Sequence, residues 1–578
     1  MSETQAPRPE DRGIETTYHV IGGETRHVPD ETVRALARLL GDQPLRDAAP
    51  DPGQAYAPEA LDGAGLWGIA VQLYAVRSQR NWGVGDYTDL AGIVRWARGL
   101  GADYVGVNPI HALPYSEPSR RSPYYPSSRL FLNVWAIDPD AAAERLRAPR
   151  LERAQDASGD LIDYEAVAAA KRPAFEALWA AMGDAPAEAR DAFAAFREAR
   201  GEALRRHALF EALAERLTPE HGAGFSGWPE AYRTPDTEEA VRFEREHAGR
   251  VGFHAFLQWL AHEQLSAAAH AAPGTTLYLD LAVGAAPDGS EVWAGGERFA
   301  RGVRLGAPPD PMAMQGQDWG LPPLNPRTLE AEDFAPLRAI LAASMAYAGA
   351  LRIDHVLGYH RQFWIPDGAS AAEGGYVRFP RAGMIAATAA ASREHTCLVV
   401  GEDLGTVPEG LTEALHAACI LSYEVARWTR GPDGAFMPAE AYPRLCLAVA
   451  STHDVAPIAG WLTGQDIEDR ARAEGWTDDQ LGQARAERSP ERDDLLALWG
   501  VSREADPETV ILAAHRFLAR SNAGVVMAAL EDALTQAEQV NMPGTTDEYP
   551  NWRVRYARNL EDWTKDEGVA TLAKAAAR

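Results

Sequence analysis

The stretch Leu351-Arg352-Ile353-Asp354-His355-Val356-Leu357-Gly358 begins with strand formers and carries three ionisable side chains. Two further apolar runs end in the same way. Leu398-Val399-Val400-Gly401 leads into Glu402-Asp403, and the run from Cys446 leads into Ser451-Thr452-His453-Asp454. Ionisable groups bunched just past strand ends, from segments far apart in sequence, mark the C-terminal face of a (β/α)8 barrel. Candidate strands recur at 68–75, 103–108, 276–281, 350–354, 397–401, 420–425, 446–451 and 537–541. Helix-patterned segments such as 88–100, 337–350 and 521–537 lie between them. This alternation predicts an α/β fold, a TIM-type (β/α)8 barrel with parallel strands.

One interval breaks the alternation. Residues 140–250 are dominated by Ala, Glu, Arg and Leu with apolar spacings of three and four, which predicts a helical insertion between the second and third strands. Residues 1–65 are rich in Pro, Asp and Gly apart from a predicted helix near 30–41, and read as a short N-terminal extension. The expected organisation is therefore an extension over 1–65, a first barrel part over 66–139, the insertion over 140–250, and the rest of the barrel with C-terminal helices over 251–578.

Composition narrows the function classes. With 83 acidic against 56 basic residues, the net charge of −27 opposes nucleic acid and anionic membrane and suits a neutral substrate. Three cysteines, Cys397, Cys419 and Cys446, lack any CxxC spacing and read as buried thiols. No run approaches the ~18 apolar residues of a membrane span, and the polar N-terminus lacks the apolar stretch of a signal peptide. A cytoplasmic protein is expected.

Side chains alternate across a strand, so Arg352 and Asp354 project to one side and Ile353 to the other. A guanidinium there helps to keep Asp354 ionised and oriented, as a nucleophilic carboxylate requires. Glu402 is placed to act as a general acid whose pKa a neighbouring anionic Asp354 would raise, and Gly401 before it would let a sugar or another backbone come close. Asp403 is equally acidic, and either carboxylate could instead cap the following helix. His453-Asp454 could form half of a metal site, but no third ligand has recognisable spacing. Hydrogen bonds to vicinal sugar hydroxyls suit the pair better, and His355 and His111 invite the same reading. No cofactor is implied. Two carboxyls and a stabilising third are the equipment for breaking a glycosidic bond, and a separation near 5–5.5 Å between the first two implies retention.

Taken together the motifs resemble the 4-α-glucanotransferases (amylomaltase, or disproportionating enzyme; glycoside hydrolase family 77 of the α-amylase clan). The resemblance runs through QLYAVRSQRNWGVGDYTDL (72–90), GADYVGVNPIHAL (101–113), SPYYPSSRLFLN (122–133), APPDPMAMQGQDWGLPPLNP (307–326), LRIDHVLG (351–358), GEDLGTVP (401–408), STHD (451–454) and NMPGTTDEYPNWRVR (541–555), in one order. It implies that Asp354 is the nucleophile, Glu402 the general acid/base and Asp454 the transition-state stabiliser. Arg352, His355 and His453 would contact the sugar of the covalent intermediate. Ser122, Tyr124, Asp288, Asp310, Trp319 and Asn541 match substrate-binding positions. The PPD-to-WG stretch resembles a flexible loop that folds over the glucan, with Gly316 and Gly320 as hinges. Implied partners are maltooligosaccharides and other α-1,4-glucans, with glucose as an acceptor. Competing expectations are an α-amylase-like hydrolase with the same carboxylates and an inactive glucan-binding protein.

Overall fold

The computed structural model describes residues 8–20, 24–45, 52–153, 159–310 and 313–578. Eight parallel strands form one sheet: β1 (Leu66–Val71), β2 (Tyr104–Val107), β3 (Thr276–Leu281), β4 (Ala350–Ile353), β5 (Leu398–Gly401), β6 (Ser422–Val425), β7 (Cys446–Val449) and β8 (Val525–Ala529). Strands consecutive in this series pair from β1 to β5 and from β6 through β8 back to β1. The Gly401 N–H donates to the Leu421 carbonyl at 2.7 Å and the Leu421 N–H to the Val399 carbonyl at 3.0 Å, which closes β5 onto β6. The sheet is the expected (β/α)8 barrel.

The period of two sorts its side chains. Leu66, Tyr104, Tyr278, Val400, Tyr423 and Met527 fill the interior, while Ile69, Val105, Leu279, Val399, Ala448 and Val526 face the helical layer. Gly68 and Gly106 leave the room that these large rings and Met527 occupy. A Cβ at Gly68 would meet Met527 Sδ and the Tyr104 carbonyl oxygen at 2.6 Å, and one at Gly106 would meet Met527 and Tyr278 at 3.1 Å.

Two expectations fail on the last βα unit. The strand expected at 537–541 is irregular, and the helix expected over 521–537 is β8 followed by the short helix Leu530–Ala533. Val525-Val526-Met527-Ala528-Ala529 is apolar on both faces, and such a run reads equally as buried helix until pairing with β7 and β1 decides it.

Between β2 and β3 lie the helices Tyr164–Ala181, Ala187–His221, Glu238–Glu246 and Ala248–Ala269. The second of these is broken at Gly201, whose φ of 48° and ψ of −132° are not helical. A second sheet, not anticipated, is formed by Val303–Ala307, Gln317–Asp318, Arg361–Pro366 and Gly375–Arg378. The N-terminal hairpin Thr17–His19/Thr25–His27 and the helix Asp30–Leu40 cover it, burying Tyr18 and Val28 with Phe363 and Ile365. Cys397 and Cys446 are buried as expected, whereas Cys419 is partly exposed. No helix among the described residues is long and apolar enough to cross a membrane.

Candidate active site

The parallel register sets Asp280 of β3 beside Arg352 of β4, and both project into the barrel mouth. Arg352 Nη1 lies 2.8 and 3.0 Å from the Asp280 carboxylate oxygens and 2.9 Å from Asp354 Oδ1, and Nη2 lies 3.9 Å from Glu402 Oε2. One buried guanidinium thus joins three carboxylates. It also lies over the Tyr423 ring, 5.6 Å from the centroid, a cation–π contact. Tyr124 donates its hydroxyl to Asp280 Oδ2 at 2.6 Å and lies 3.2 Å from His453 Nδ1, with the two rings stacked at 4.6 Å. His453 Nε2 meets Asp454 Oδ2 at 3.2 Å, and Asn541 donates to Asp454 Oδ1 at 2.7 Å.

Backbone geometry orients the remaining groups. Immediately after β4 the chain turns at His355, whose φ of 50° is left-handed. The turn aims the His355 N–H at Glu402 Oε2, 2.8 Å away, while the Leu404 N–H donates to Oε1 at 2.9 Å. Asp403 faces elsewhere, accepting from the Tyr423 N–H at 2.9 Å. Alternation along the chain therefore separates these two neighbours into a mouth-facing carboxyl and a structural one. Gly401 has a different reason from the one its position suggested: a Cβ there would meet Val356 Cγ1 at 2.7 Å, so the Val356 side chain is what comes close.

The carboxyls do not share one electrostatic environment. Burial raises Glu402 to about 7, with Asp354 pushing the same way and Arg352 opposing. Burial also raises Asp354 above the ordinary carboxylate range, against the pull of Arg352. For Asp454, desolvation is outweighed by His453 and Asn541, and the carboxyl is held below its usual range. Reciprocally, Asp454 outweighs the burial of His453 and raises the imidazole. His355 has no such partner, and burial lowers it to about 4.

The other expected residues sit farther out. Trp319 packs edge-on against the His355 ring at 5.0 Å. Its backbone N–H donates to the Leu305 carbonyl, and Gln317–Asp318 pairs with Gly306 and Ala307, so this end of the PPD-to-WG stretch is an edge strand of the second sheet. Gly316 and Gly320 both have positive φ, 74° and 69°. Pro311 and Met312 of the same stretch lie outside the described residues. Asp310 accepts from the Ala313 N–H at 2.7 Å. Asp288 is gripped by Arg120 at 2.7 and 2.9 Å. Ser122 contributes its carbonyl to the Tyr125 N–H at 3.2 Å. His111 is a structural histidine: its Nε2 accepts the Ala282 N–H at 3.3 Å and burial lowers it to about 3.

Sequence reasoning missed Asp280, which binds both Arg352 and Tyr124. Its signal was present: Thr276-Leu277-Tyr278-Leu279-Asp280-Leu281 puts a lone carboxylate at an inward position of an otherwise apolar strand. Below the cluster the mouth continues into a recess lined by Gln72, Asn108, Tyr278, Tyr423 and Glu531 among others.

Residues 71–561 match the family model described as 4-alpha-glucanotransferase. The chain belongs to the 4-α-glucanotransferases, glycoside hydrolase family 77. Curated 4-alpha-glucanotransferases from Mycobacterium tuberculosis and Haemophilus influenzae are 39% and 33% identical over 90% of this chain, which covers 76% and 80% of those relatives. The amylomaltase of Corynebacterium glutamicum superposes with a TM-score of 0.83 at 24% identity, covering 98% of both chains. That of Streptococcus agalactiae, solved in complex with acarbose, gives 0.73 at 19% identity, with 89% of this chain and 99% of that one covered. These structures bear out the barrel, and family membership makes the chain a glucanotransferase; the hydrolase reading is not favoured.

Proposed function

We propose that the enzyme transfers an α-1,4-glucan segment to the 4-hydroxyl of glucose or of another glucan through a glycosyl ester on Asp354. In the first step an Asp354 oxygen attacks the anomeric carbon, the glycosidic C–O bond breaks, and the leaving oxygen takes the proton from Glu402. In the second, the Glu402 carboxylate removes the proton of the incoming 4-hydroxyl as that oxygen displaces Asp354. Two inversions retain the α configuration. Asp454, kept anionic by His453 and Asn541, faces the positive charge that develops on the sugar ring. Arg352 and His453 are assigned to the bound donor sugar, and Tyr124 supports His453.

The observation that carries this reading is the pair Asp354 and Glu402 around one guanidinium, at 2.9 and 3.9 Å, with Glu402 raised to about 7. A carboxyl poised there can give and recover a proton at neutral pH. Trp319 and His355, with Ser122, Asp288 and Asp310 farther along, are assigned to the glucan on either side of the scissile bond. Closing this groove over the ester keeps water from intercepting it. Three unpaired cysteines accord with a cytoplasmic enzyme. Incubation with maltotriose tests the reading: a ladder of shorter and longer oligosaccharides without net gain of reducing ends is expected, whereas a steady rise in reducing ends would mean hydrolysis.

A further inference from the structure

We propose that a recess remote from the carboxylates, between the helix Ala187–His221 and the strand Ser128–Leu132, is a second ligand site for a small uncharged molecule carrying an apolar ring and one hydrogen-bonding group. The recess encloses about 340 Å³, and the helices Ser290–Gly295 and Ala335–Met345 complete its walls. This is the lower end of the range of small-molecule pockets. Its lining is predominantly apolar and includes Leu130, Phe131, Phe299, Leu324 and Ile340.

One polar group points the ligand. His207 is 4% exposed and lies flat on Phe131, with ring centroids 4.2 Å apart. Its Nδ1 bonds Ser290 Oγ at 2.8 Å, and its Nε2 has no hydrogen-bond partner among the described residues. The ring lines the recess, so Nε2 is the nitrogen left to meet a ligand hydroxyl. Burial lowers His207 to about 3, so the ring is neutral and offers a hydrogen bond instead of a charge.

Charge at the rim selects against ions. Arg206 is paired with Glu202 at 2.7 Å and with Asp236 at 3.0 Å, Arg298 with Glu332 at 2.8 Å, and Glu291 with Arg129 at 2.6 Å. A charged ligand would face no free counter-ion and would pay desolvation without return. The long helix breaks at Gly201, and Ala203, Arg206 and His207 just beyond the break form one wall. Ser290 ties that wall to the substrate side of the molecule, since its N–H donates to Ser127 Oγ at 3.0 Å and Asp288 precedes it by one turn residue.

Calorimetric titration of the full chain with phenol, and separately with benzoate, tests the assignment. Phenol should bind saturably at one site and benzoate at least about tenfold more weakly. Ala339→Trp, an exposed rim position whose indole would fill the recess, should abolish phenol binding while transfer on maltotriose stays at the wild-type rate, which shows that the variant is folded. His207→Phe, which keeps the stacked ring and removes the nitrogen, should weaken phenol by about tenfold. Absence of saturable phenol binding, equal binding of benzoate, or phenol binding that survives both Ala339→Trp and His207→Phe would each overturn the proposal.

Discussion

Arg352 concentrates the electrostatics of the site, because one guanidinium serves Asp280 and Asp354 directly and reaches Glu402. Removing one partner from a buried cluster leaves the others uncompensated. Asp280→Asn keeps the shape but removes the charge that fixes Arg352 and Tyr124. We expect kcat on maltotriose to fall by roughly 10–100-fold with KM little changed, measured by initial-rate kinetics. The pH profile belongs to the same scale. In the proposed mechanism Glu402 must hold its proton to act as the acid, so kcat/KM should decline as pH rises through about 7. On the same proposal Asp354 must be ionised to attack, so the acid limb should fall where its raised pKa is crossed from above. Glu402→Gln should abolish the alkaline limb and cost about 10²–10⁴ in rate; a limb that persists in that variant would assign it to another group. Much at this scale was legible in the sequence, since alternation alone places Arg352 and Asp354 on one side. Asp280 escaped because its strand reads as core, and only the β3–β4 register reveals its partner.

At the level of elements, the strands β1 to β7 were legible from apolar runs ended by polar groups, whereas β8 was hidden inside a helix-like run of Ala, Met and Leu. Local propensity lost there to pairing with β7 and β1. The second sheet was invisible for a related reason: its strands are short and non-adjacent in sequence, with Arg361–Pro366 pairing back to Val303–Ala307 across the whole of β4. Interior packing makes its own prediction. Gly68→Ala drives a methyl group against Met527 and the Tyr104 carbonyl oxygen, each 2.6 Å from the added carbon. Overpacking of this kind costs about 1–3 kcal/mol, so urea unfolding should show a lower midpoint while the glucan KM stays near wild type. An unchanged midpoint would mean that β1 and β2 can part without cost.

For the whole molecule, barrel closure does what no local segment can. It gathers Tyr124, Asp280, Arg352, Asp354, Glu402, His453, Asp454 and Asn541 from loops and strand ends spread over most of the chain into one set joined by ion pairs and hydrogen bonds. Residues outside that set, Ser122, Asp288 and Asp310, were expected near the substrate from motif position, and the structure holds them in bonds of their own. The proposed mechanism rests on a glycosyl ester at Asp354. Its most direct measurement is the intact mass of the Glu402→Gln enzyme after brief exposure to α-maltotriosyl fluoride, a donor whose leaving group needs no proton, followed by peptide mapping. An adduct of one maltotriosyl unit on the peptide containing Asp354, absent from the Asp354→Asn variant, is the predicted result. Turnover that survives Asp354→Asn, or an adduct mapped to a different residue, would contradict it.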